Sequence, residues 1–83
     1  MAVYKKKIET IEALQWKGWI DGNILEVMEF VGENNFEVKD NDIYIISNGI
    51  RSLIKEGQYI IKGSLGYMYG MDSMVFNQFY EPI

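Results

Sequence analysis

The sequence predicts a small single α+β domain over 1–83, and three observations carry that expectation. Residues 24–31 place Ile24, Val27, Met28 and Val31 at i, i+3, i+4 and i+7, the spacing of a one-faced helix. From residue 36 onward, short apolar runs alternate with tight-turn residues, and Asn48-Gly49 is the strongest hairpin signal among them. A last apolar stretch, Met74 to Tyr80, is stopped by Pro82. The expected architecture is an antiparallel sheet of about four to five strands. One helix follows the first strand, and a short helix closes the chain.

Residues 3–17 read as the first strand, with Ile8, Ile11, Ala13, Leu14 and Trp16 among Lys and Glu. The alternation breaks at Thr10-Ile11 and Ala13-Leu14, which predicts a bulge or bend near Glu12. Lys17-Gly18-Trp19-Ile20-Asp21-Gly22 reads as a turn in which two glycines flank an apolar pair. Asn23 and Glu26 have capping-box spacing, so the Asn23 side chain is expected to take an orphan amide at the helix start. Leu25 and Phe30 are expected to widen the apolar face, and Gly32 to end the helix as a left-handed cap.

Phe36-Glu37-Val38 begins strand material after a polar link, and Asp40-Asn41-Asp42 reads as a turn. Ile43 to Ile46 and Ile50 to Ile54 form the two arms of the Asn48-Gly49 hairpin. Lys55-Glu56-Gly57 turns into a strand at 58–62, Gly63 to Gly66 turns again, and 67–71 is the last strand. Ile60 and Ile61 then point to opposite faces of a covered sheet. Asp72 or Ser73 is placed to cap the closing helix.

Composition removes several function classes. The 83 residues include no cysteine and no histidine. That excludes disulfides, Cys- or His-ligated zinc, and Ser-His-Asp or Cys-His catalysis. Asp40 and Asp42 are oxygen donors of the type a hard cation takes, although Asp-Asn-Asp is also simply a turn. Gly57, Gly63 and Gly66 lie between strands and match no GxxxxGK[ST] pattern, so they are not a phosphate loop. The expectation is a non-enzyme without a cofactor.

Eight basic residues against twelve acidic ones give a net charge of −4, which argues against a nucleic-acid backbone binder. Lys5-Lys6-Lys7 is too short a run to reverse this. No apolar run reaches the ~18–20 residues that cross a bilayer, so no membrane partner is expected. The first residues lack the apolar core of a signal peptide. An intracellular location follows as the expectation.

Aromatic residues make up 14% of the chain, a surplus for so small a core. Tyr59, Tyr67 and Tyr69 fall on successive strands. On the sequence reading Tyr67 and Tyr69 share one face, and Tyr59 shares another with Ile61. With Trp16, Arg51 and Lys62 they form the candidate ligand-binding set: rings to stack a base, cations to pair with a phosphate. The same rings also serve as core or as the interface of a homo-oligomer.

Residues 57–81 carry Gly57, Tyr59, Ile60, Ile61, Lys62, Gly63, Gly66, Tyr69, Phe76, Tyr80 and Glu81. This pattern resembles a family of small proteins encoded by tailed bacteriophages and prophages, whose C-terminal half runs Gly-x-Tyr-Ile-Ile-Lys-Gly, then Gly-x-x-Tyr and Phe-x-x-x-Tyr-Glu. Glu12-Ala13-Leu14-Gln15-Trp16 and the helix after Asn23 are similar to its N-terminal half. The family commonly has Cys-Lys-Pro-Asp where this chain has Gly70-Met71-Asp72-Ser73, so no role of that cysteine or lysine transfers. The resemblance implies phage origin and a host-cytoplasmic location, and it supplies no activity. Small phage proteins without catalytic groups often act by occupancy. The leading expectation is sequestration of a nucleotide-type immune signal in counter-defence, in a pocket between subunits of a homo-oligomer. The alternatives are inhibition of a host enzyme by protein contact and a minor virion or assembly role.

Overall fold

A computed structural model describes residues 2–3, 11–63 and 65–82. The Lys5-Lys6-Lys7 run and the part of the expected first strand before residue 11 lie outside the described residues, apart from Ala2 and Val3. The elements in order are β1 (Glu12–Gln15), α1 (Ile24–Val31), a short 3₁₀ turn (Glu33–Asn35), β2 (Phe36–Lys39), β3 (Asp42–Ser47), β4 (Ile50–Ile54), β5 (Tyr59–Lys62), β6 (Met68–Met71) and α2 (Ser73–Phe79). The α+β class is as the sequence predicts. The sheet is not. Among the described residues the six strands form two three-stranded antiparallel sheets, ordered β1-β5-β6 and β2-β3-β4.

The meander expected across 36–71 is real only as far as β4. Both of its turns are two-residue hairpin loops with positive φ at each centre: Asp40 (52°) and Asn41 (67°), then Asn48 (52°) and Gly49 (76°). These are the residue types that tolerate that conformation, which matches the twist of the flanking strands. After β4 the chain leaves this sheet, and β5 pairs with the distant β1, from Glu12 opposite Lys62 to Gln15 opposite Tyr59. The ladder runs one step further, with the Trp16 N–H donating to the Gln58 carbonyl and the Gly57 N–H to the Trp16 carbonyl.

The two sheets and α1 enclose one core of Trp16, Val27, Val31, Ile43, Ile45, Ile54, Ile60 and Met68. The sheets are joined at β6, where the Met68 N–H donates to Ser47 Oγ at 2.8 Å. Close approach there needs Gly70, because a Cβ at that position would lie 2.6 Å from Ile54 Cδ1. Ile60 and Ile61 are both fully buried, Ile60 in this core and Ile61, by strand alternation, on the opposite face of β5. That second face also carries Tyr59, on which α2 docks.

α1 buries Val27 and Val31 and half-buries Ile24 and Phe30. Leu25, expected on that face, is instead exposed, since 100° per residue carries it off the stripe. Gly32 ends the helix with its N–H on the Met28 carbonyl, but at φ 93° and ψ 137° it is not in the left-handed helical region. Only glycine adopts that conformation readily.

The Asn23 expectation is also corrected. Its side chain takes no helix amide. Instead Oδ1 accepts the Lys17 N–H at 2.9 Å, and Nδ2–H donates to the Gln15 carbonyl at 2.7 Å. The carboxamide thus closes the open edge of the β1 strand end, where a donor and an acceptor would otherwise face outward. Asp72 likewise flanks α2 without capping it, its Oδ1 accepting from Gln58 Nε2 at 3.0 Å.

Candidate functional site

The structure scatters the predicted ligand-binding set. Trp16 is buried in the core, 3% exposed. Arg51 lies on β4, in the other sheet from Tyr59, Lys62 and Tyr69. Its Nη2 and Nε donate to the Glu37 carboxylate at 3.0 and 3.3 Å, and its guanidinium sits 3.8 Å from the centre of the Tyr44 ring. Lys62 and Tyr59 are three apart on one strand and therefore point to opposite faces. The Lys62 ammonium lies 4.6 Å from the centre of the Phe30 ring.

Tyr59 and Tyr69 are brought onto one face, contrary to the expected division. Tyr69 pairs with Ile61 across the ladder, and Tyr59 with Met71, so alternation puts all four on the same side. Tyr59 is covered by α2, its ring stacked on Phe76 at 3.9 Å and 9°, with Tyr80 following Phe76 at 5.2 Å. Tyr67 precedes β6 and is exposed. A row of rings flanked by Arg51 and Lys62 is not formed.

Two hollows lie elsewhere among the described residues and share Lys55 and Glu56 as a common wall. The first, about 360 Å³, has Trp16, Ile43 and Ile54 as its apolar floor. Gly18 and Trp19 form one side, and Asp42, Lys55 and Glu56 its charged rim. Trp19 is fixed by two contacts: its Nε1–H donates to the Asn41 carbonyl at 2.7 Å, and its ring meets Trp16 edge-on at 5.3 Å and 85°. The 17–22 turn is thereby pinned to the β2–β3 hairpin.

The second hollow, about 480 Å³, lies between the 55–58 turn and α2, whose Met74, Val75 and Gln78 line it. α2 has the sequence SMVFNQF, without a charged residue. It uses Phe76 inward and leaves Met74 78%, Phe79 68% and Val75 39% exposed. Polar or charged residues normally occupy the solvent side of such a helix. Here Asp72 and Glu81 stand only beyond its ends.

Sequence reasoning put Trp16 of this surface in the ligand-binding set, left Trp19 among the surplus aromatics and weighed Asp42 only as a cation ligand beside Asp40. It missed Glu56, Met74 and Phe79 as site residues. The signal for Trp19 was present, an apolar Trp-Ile pair inside a glycine-framed turn. No group of three or more His, Cys, Asp or Glu among the described residues could hold a metal ion, and no described helix is long and apolar enough to cross a membrane. No family model, curated protein or solved structure matches the chain.

Proposed function

We propose that this protein acts without catalysis, by covering the surface of a partner protein through α2 and the two hollows beside it. The observation that carries this is the uncharged helix with Met74, Val75 and Phe79 all turned to solvent. Val75 and Phe79 stand one turn apart, and Met74 lies with Val75 on the second hollow. Exposed apolar side chains concentrated on one element mark an interaction surface. The nucleotide-sequestering alternative needs cations turned into a cleft. Arg51 is held by Glu37, Lys62 lies over Phe30, and neither lines either of the two hollows beside α2. On this reading the protein is an accessory protein that inhibits a host enzyme by occupancy. The resemblance to small phage and prophage proteins bears only on its origin and its host-cytoplasmic location.

The test is capture from a bacterial lysate by the wild-type protein and by a Met74→Ser/Phe79→Ser variant, each checked by light scattering. A stoichiometric partner that survives high salt and is lost with the variant is expected. Light scattering distinguishes a second copy of the chain as the occupant. No partner, together with heat from a nucleotide panel in calorimetry, would sink the reading.

A further inference from the structure

We infer that the Trp16–Trp19 hollow is a receptor for a basic side chain, taking a guanidinium or alkylammonium group on an apolar stem. Its volume of about 360 Å³ is within the range of small-ligand sites. The exposed Ile20 and the pinned Trp19 ring, over the buried Trp16, Ile43 and Ile54, offer the apolar surface for the stem. At the rim, the side chains of Asp42, Lys55 and Glu56 make no hydrogen bond or ion pair among the described residues. Two unengaged carboxylates and one ammonium leave the rim net negative. An anion would meet that charge at the mouth, whereas a cation gains both the carboxylates and the aromatic surface.

That the cation belongs to a protein rests on the function proposed above, and on one further observation. The hollow and the groove beside α2 share the Lys55-Glu56 wall, so an arginine or lysine seated among the carboxylates would place its neighbours over apolar α2. An apolar patch with a basic anchor at its edge is the complementary partner surface.

The chain has two tryptophans, so its indole N–H resonances report directly on the hollow. Titration with N-acetyl-argininamide should shift both resonances saturably, while the neutral isostere N-acetyl-citrullinamide should not. Asp42→Asn and Glu56→Gln should each weaken binding roughly two- to fivefold, the contribution of one partly exposed charge pair. Lys55→Gln should tighten it by a similar factor, a gain that damage to the fold cannot imitate. Equal shifts from arginine and citrulline compounds would overturn the cation assignment, and no shift at tens of millimolar would overturn the site. The peptide acetyl-Leu-Ala-Arg-amide should bind tighter than N-acetyl-argininamide. If it does not, the cation's source is a free small molecule and the protein assignment fails. Loss of capture with the α2 variant is read separately, so the helix surface and this hollow stand or fall independently.

Discussion

Tyr59 and Phe76 stack face to face, 3.9 Å between ring centres and 9° between planes, and this pair fastens α2 to the sheet. A seven-residue helix is too short to hold itself together in water, so its order depends on that docking. Phe76→Ala should destabilise the protein by about 2 kcal/mol, less than a fully buried Phe because the site is half-exposed. A denaturation cycle with Tyr59→Ala should give a coupling of about 1 kcal/mol. Additive losses would show that α2 is held by something else.

Asn23 should behave as a strand-edge clamp rather than a helix cap. Its carboxamide serves one donor and one acceptor around Trp16, so Asn23→Ser, neutral at a true cap, should cost about 1–2 kcal/mol. Asn23→Asp should not restore the loss, because it keeps the acceptor and removes the donor. Urea midpoints of the two variants check this. A neutral serine variant would return Asn23 to a capping role.

The contact between Gly70 and Ile54 predicts a compensating pair. Gly70→Ala forces a methyl against Ile54 Cδ1 and should cost about 1–3 kcal/mol. Ile54→Val removes that terminal methyl and alone should cost about 1 kcal/mol. Together they should cost clearly less than the sum, as measured by thermal or urea unfolding.

Arg51 should matter little. Its pair with Glu37 is exposed, with side-chain accessibilities of 43% and 42%. Arg51→Ala should therefore cost only about 0.5–1 kcal/mol, with the electrostatic part falling as salt is added. Partner capture should be unchanged. A capture defect without unfolding would move the functional surface to the outer face of β3 and β4.

The legible parts of this sequence were those encoded over short distances. The apolar stripe from Ile24 to Val31 specified α1, and Asn48-Gly49 specified a hairpin of the right residues. The pairing of β1 with β5 was hidden, because it joins Glu12 to Lys62 across fifty residues with no local mark. That pairing splits the expected single sheet in two and separates Arg51 from Lys62, while the register of β5 on β6 sets Tyr59 and Tyr69 on one face. Side-chain placement was equally non-local. Asn23 has the form of a cap, but the backbone of β1 offers it two better-placed partners. The hollow escaped because Trp19 becomes part of a wall only when its indole reaches Asn41, twenty-two residues away.

Hydrogen exchange of the protein, free and saturated with its captured partner, tests the central claim most directly. Covering α2 and the adjoining wall should slow exchange at amides within 75–80 and 55–58, with smaller changes elsewhere. Protection confined to β3 and β4, with α2 unchanged, would contradict it.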